Sequence, residues 1–177
     1  IEGLDGSFDA VIAIGAHSMA GTLNGLLPHT LSRDIVGVWV NDFLVGEIGL
    51  WASIAGYYGV PLIMVSGDEA AVNEAKSLLG NIEAVSVKKA TSMYAAICLH
   101  PSVTHKLIRE ATERALNRLK RGDFKPFRLE KPVRMRVKYL LPSMAERIAR
   151  RPGVRLLDGR TVEYVGDNIL ECWSMVF

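Results

Sequence analysis

A chain of 177 residues, 49% hydrophobic and 23% charged, is long enough to bury one core and short for two. Its formal net charge of +2 is too small to recruit nucleic acid or an anionic membrane surface, and its basic stretches over 106–136 and 147–160 are interleaved with acids. No apolar run approaches the roughly 18 residues that a membrane span requires.

Phe8 to Ile14 is a short β-rich run that reads as a buried strand ending at Gly15. A loop rich in small residues follows it as far as Pro28. Ile35 to Val40 is a second strand, turned by Asn41-Asp42 into Phe43 to Val45 as a hairpin. From Gly46 to Tyr58 apolar and small residues recur nearly all round a helical wheel, predicting a buried helix stopped by Gly59 and Pro61. Pro61 to Val65 is a third strand and Ile82 to Val87 a fourth. Between them Glu69 to Leu79 forms a helix capped by Asp68 and closed by Gly80. The βαβαβ rhythm over 35–87 predicts one sheet with right-handed crossovers.

Pro101 to Lys120 is a long amphipathic helix, with Pro at its start and a basic last turn. Pro132 to Tyr139 alternates like a half-exposed strand, and Pro142 to Arg150 is a short helix. Val154 to Leu157 and Thr161 to Val165 form a hairpin around Asp158-Gly159, and Asn168 to Phe177 a terminal helix. The expected fold class is α/β: a mainly parallel sheet with flanking helices in three layers, plus a smaller mixed C-terminal part. Residues 125–132 are the linker candidate, dividing an α/β portion at 1–124 from a mixed α+β portion at 125–177, within one domain or as two parts.

Cys98 and Cys172 lie far apart among apolar neighbours and form no CxxC pair, so both are expected to be buried free thiols in a reducing cytosol. The chain opens on Ile1-Glu2-Gly3-Leu4-Asp5, without an initiator Met or a basic leader, and is expected to be a piece of a longer protein.

Chemistry concentrates at three residues. His17 follows directly on a buried strand, at the edge where α/β sheets bind ligands; it reads as a ligand or as a hydrogen-bonded structural residue. His29 lies in the loop after Pro28. Glu47 opens a helix of otherwise apolar or small residues. It reads as a first-turn charge favoured by the helix dipole, or as a buried carboxylate that needs a cation or hydrogen bonds. Imidazole and carboxylate donors on consecutive elements suit Zn²⁺. There is no HExxH motif and no phosphate-binding loop, since Gly21 to Gly25 lacks the Lys. Asp68 and Glu69 read as capping residues, and His100 and His105 as surface or structural. Ser18, Ser66 and Cys98 have no base and orienter beside them, which argues against nucleophilic catalysis.

Ile14-Gly15-Ala16-His17, His29, Val40-Asn41-Asp42 and Val45-Gly46-Glu47-Ile48-Gly49-Leu50 together resemble the zinc D-aminopeptidases encoded with bacterial dipeptide-transport genes. The likeness continues through Ala55 to Pro61, Met64 to Asp68, Val85 to Lys88 and Leu99-His100-Pro101, covering residues 1 to about 120. The resemblance implies cytoplasmic hydrolases that release D-residues such as D-alanine from the N-termini of short peptides by zinc-activated water. It implies two Zn ions per complete site and a homo-oligomer, a decameric ring. By the same carry-over, His17 and Glu47 correspond to metal ligands. His29 corresponds to an active-site histidine that protonates the leaving amine or stabilises the oxyanion. The family's N-terminal strand, with its Asp-x-Glu metal motif, and a further histidine ligand have no counterpart in 1–177, so the chain alone is expected to hold half a dinuclear site. Two other readings fit the same residues: an inactive relative that binds peptide or serves as a scaffold, and an unrelated small-molecule-binding domain in which His17 points away from Glu47.

Overall fold

The computed structural model describes residues 1–177. In chain order the elements are β1 (Val11–Ala16), β2 (Ile35–Val40), β3 (Phe43–Val45), α1 (Glu47–Tyr57), β4 (Leu62–Asp68), α2 (Glu69–Leu79), β5 (Glu83–Ser92), β6 (Ala95–Cys98) and α3 (Pro101–Lys120). They continue with β7 (Val133–Tyr139), α4 (Pro142–Ile148), β8 (Arg155–Asp158), β9 (Thr161–Gly166) and α5 (Ile169–Val176).

The strands form two sheets. The first is four-stranded, ordered β1-β4-β5-β6, with β1, β4 and β5 parallel and β6 returning antiparallel. All seven residues of β4 are buried, as a central strand covered on both faces requires. The second is five-stranded and antiparallel, ordered β3-β2-β7-β9-β8. The fold is α/β, a largely parallel sheet flanked by helices beside an antiparallel sheet.

The expected crossover β4–α2–β5 is present, but β2 is not part of that sheet. It pairs antiparallel with β3 and β7, setting Val38 opposite Val137 and Val40 opposite Met135. The cause lies in α1. A helix crossing on the outside of a sheet keeps one wet face, whereas α1 is apolar all round and is covered on both sides. Leu50 and Ile54 enter the core of the second sheet with Val38, Met135 and Val137. Ile48 and Ala52 enter the core of the first with Ala13, Val65 and Ala71. On the other face of the first sheet, Ala111 and Ala115 of α3 pack on Ile63, Met64 and Val85. The segment 123–131 has no helix or strand and touches both cores, through Phe127 and Leu129.

Local signals explain most boundaries. Asn41 adopts φ 52°, which lets a two-residue turn join Val40 to Phe43. The Asp68 carboxylate accepts the Ala71 N–H at 3.2 Å and caps α2. His100 caps α3 by accepting the Ser102 N–H, in keeping with a structural role. One expectation fails: Cys98 is exposed and only Cys172 is buried. Cys98 ends β6, an edge strand whose run Ala95-Ala96-Ile97-Cys98 is apolar without being covered. No helix is long and apolar enough to cross a membrane.

Candidate metal centre

His17 is delivered by the carboxyl end of β1. There β1 and β4 approach closely, because Gly67 has no side chain opposite Ala16, and the Gly15 N–H donates to Ser66 Oγ at 3.2 Å. The loop from His17 to Leu31 is almost without regular structure, and four of its backbone N–H groups find side-chain acceptors instead. Met19 donates to Glu74 Oε2 at 2.7 Å, Ala20 to Thr30 Oγ1 at 3.1 Å, Leu26 to Asp68 Oδ2 at 2.9 Å and Leu31 to Glu47 Oε1 at 3.1 Å. Leu27 and Leu31 flank His29 in left-handed conformations, φ 49° and 61°. That geometry costs a bulky residue roughly 1–3 kcal/mol and persists only where its surroundings hold it. Glu47 is the first residue of α1. The preceding Gly46 has no room for a side chain: a Cβ there would lie 2.5 Å from Glu74 Oε1 and 2.7 Å from Met19 Cβ.

These elements bring His17, His29 and Glu47 together. Nε2 of His17 lies 3.2 Å from Glu47 Oε1 and Nε2 of His29 lies 3.9 Å from it. One ligand atom from each residue falls within 4.8 Å of the others. The imidazoles stack with centroids 3.8 Å apart at 17°. The side chains of His17, His29 and Glu47 are 25, 35 and 17% exposed, which is sheltered yet reachable from solvent. His17 faces Glu47, contrary to the arrangement a merely structural histidine would need.

The donor chemistry suits zinc. Nδ1 of His17 lies 3.1 Å from the Ser18 carbonyl and Nδ1 of His29 lies 2.8 Å from the Leu27 carbonyl. A carbonyl only accepts, so each ring donates from Nδ1; with no metal, Nε2 of His17 donates to Glu47, and losing that proton frees it as a metal donor. Backbone carbonyls orienting metal-binding imidazoles in this way are the usual second layer of a zinc site. His100 and His105, by contrast, are exposed on α3, and Glu69 pairs with Lys89 at 3.3 Å.

The sequence reading missed Glu74. Burial pushes its carboxyl up to about 7, opposed by the Met19 and Gly46 amides, and its Oε1 is buried without a hydrogen-bond partner. The Gly46 amide favours the charged carboxyl, though it makes no hydrogen bond to Oε1. The available signal was position: residues 71, 74, 75 and 78 fall on one helical stripe, and the other three are Ala71, Ala75 and Leu78.

The hydrogen bond to Glu47 raises the pKa of His17 against an opposing effect of burial, and the same bond lowers that of Glu47. Both raised groups act on stability in one direction. An acid raised from 4.5 to about 7 favours the folded state fully below 4.5 and loses that contribution as pH climbs to about 7. A raised histidine contributes fully below 6.5 and loses its contribution as pH passes its folded value. Zinc-free protein is therefore expected to lose stability between about pH 5 and about pH 8, by roughly 3 kcal/mol from Glu74 alone. Urea midpoints across that range check this; a flat or rising curve refutes it.

A pair of histidines oriented by carbonyls, converging with a carboxylate at the carboxyl end of parallel strands, gives an α/β protein a donor set that could hold a metal ion. Among known proteins, the D-aminopeptidase family profile matches residues 1–177, and the chain belongs to that family. It is 34% identical over 176 residues to the D-aminopeptidase of Bacillus subtilis strain 168, an alignment spanning 98% of this chain and 63% of the relative. The solved structure of the Zn-dependent D-aminopeptidase DppA from Bacillus subtilis, described as a self-compartmentalizing protease, superimposes with a TM-score of 0.92 at 32% identity. It too is matched over 98% of this chain and 63% of its own length. The chain thus spans under two thirds of the length of these relatives.

Proposed function

We propose that this chain carries part of the active site of a zinc-dependent D-aminopeptidase that removes N-terminal D-residues such as D-alanine from short peptides. The observation that carries the reading is the convergence of two imidazoles, each held at Nδ1 by a backbone carbonyl, on Glu47, in a chain that a D-aminopeptidase relative matches over 98% of its length. His17 Nε2 and the Glu47 carboxylate would hold the metal. The chemistry that zinc lends such a site is Lewis acidity, which lowers the pKa of a water molecule and polarises a scissile carbonyl. His29, the most exposed of the three, would hold a proton at Nε2 for the leaving amine or donate to the developing oxyanion.

Two Zn ions per complete site need more donors than these three residues supply. We place the remaining donors in sequence that the relatives possess and residues 1–177 do not include. A homo-oligomer, taken as a decameric ring, and a cytoplasmic location complete the reading. The description of the relative as self-compartmentalizing supports the first.

The test is metal analysis of the intact protein together with cleavage of D-alanyl and L-alanyl dipeptides. Zinc is expected to co-purify, cleavage to favour the D-substrate, and a chelator to abolish it until zinc is restored. Chelator-insensitive cleavage overturns the metal role, and a zinc-free protein without hydrolysis favours the inactive relative.

A further inference from the structure

Glu74 lies outside the convergent donor set, yet it touches both elements that carry it. Its Oε2 accepts the Met19 N–H at 2.7 Å, two residues beyond His17. Its Oε1 packs against Gly46, the residue before Glu47, where even a methyl group would come within 2.5 Å of it. Met19 closes the third side, since the same methyl group would lie 2.7 Å from its Cβ. Glu74, Met19 and Gly46 therefore form one packed knot among α2, the histidine loop and the head of α1. Burying a carboxyl costs free energy that an alanine would not incur, and its Oε1 gains no hydrogen bond in return. Placement there calls for a reason other than stability. Asp68, the last residue of β4 and the N-cap of the same helix, holds the loop again through the Leu26 N–H at 2.9 Å. Glu74 and the capping Asp68 thus fix the loop on both sides of its turn.

We propose that Glu74 is a positioning residue of this site: its carboxyl ties the Met19 amide to the Gly46 end of α1, and so fixes where His17 meets Glu47. The inference rests on the metal-site reading for its consequence and on the knot alone for its geometry. Without the tie, the Met19 amide loses its acceptor, and the loop is free to carry His17 Nε2 away from its 3.2 Å approach to Glu47. A site whose outer partners are removed typically binds metal about 10- to 100-fold more weakly.

The experiment compares Glu74→Ala and Glu74→Gln with the wild type in the intact protein. It reads zinc affinity by competition with a chelating dye and hydrogen exchange at the Met19 amide. Glu74→Ala is expected to fold with an unchanged or higher urea midpoint, to lose protection at Met19 and to bind zinc about 10- to 100-fold more weakly. Glu74→Gln keeps an oxygen for the Met19 N–H and is expected to restore both readouts. Wild-type affinity and protection in Glu74→Ala overturn the proposal, as does a Glu74→Gln variant as impaired as Glu74→Ala. A wild type that binds no zinc sinks the functional reading instead, and Met19 exchange then decides the role of Glu74.

Discussion

Glu47→Gln in the intact protein is expected to lower zinc affinity by more than about 100-fold, beyond the loss typical of outer-shell changes. The substitution preserves volume and leaves one oxygen to accept the Leu31 N–H, so the loop keeps its anchor. What disappears is the negative charge beside both imidazoles, 3.2 and 3.9 Å from their Nε2 atoms. The same oxygen, Oε1, faces Leu31 and both histidines, so an amide that keeps it there offers a metal one neutral, weaker donor in place of a charged carboxylate. Hydrolysis of D-alanyl peptides should fall with the metal, by about 10²- to 10³-fold if the lost electrostatic stabilisation matches that of an oxyanion-hole donor. The fold should survive, because the side chain contributes charge rather than packing. Dye competition and dipeptide assays check the prediction, and wild-type affinity with wild-type turnover removes Glu47 from the metal site.

Gly67→Ala is expected to damage stability and metal binding together. Gly67 sits opposite Ala16 in the β1–β4 pair, and a Cβ on it would overlap the Ala16 carbonyl oxygen and lie 3.1 Å from Ala71 Cβ. The requirement is for space, since no positive φ is involved at this residue. Both neighbours belong to well-packed elements, so relief requires the end of β1 to move. Overpacking of this kind costs about 3 kcal/mol, at the upper end of its usual range. His17 is the next residue after Ala16, and a displacement near 1 Å there can cost about 100-fold in rate. Urea denaturation and zinc titration of the folded variant should both register the change. Normal values in both would mean that β1 yields without carrying His17.

The sequence made the local structure plain where one short-range signal decided it. The Asn41-Asp42 turn, the Asp68 cap and the Pro101 start of α3 are all fixed by their own side chains. Sheet membership was less legible, because β2 looks the same whether it pairs with β4 or with β7, a partner about 100 residues away. The apolar wheel of α1 contained the answer: a helix buried on every side lies between layers. For the site, His17, His29 and Glu47 were legible together as imidazole and carboxylate donors on consecutive elements, and the role given to His29 came through resemblance. Glu74 stayed hidden since a Glu in an amphipathic helix ordinarily faces water, and only its packing against Met19 and Gly46 distinguishes it. Cys98 misled for the opposite reason, as an apolar stretch on an edge strand need not be covered.

The double burial of α1 has a mechanical consequence. With Leu50 and Ile54 embedded in one core and Ile48 and Ala52 in the other, the helix acts as a shared axle between the sheets. Neither sheet can loosen without turning it. Glu47 rides on its end, so repacking around α5 or β7 is transmitted along a rigid rod to the carboxylate. A protein built this way melts as one unit, and the placement of Glu47 reports on the condition of both sheets.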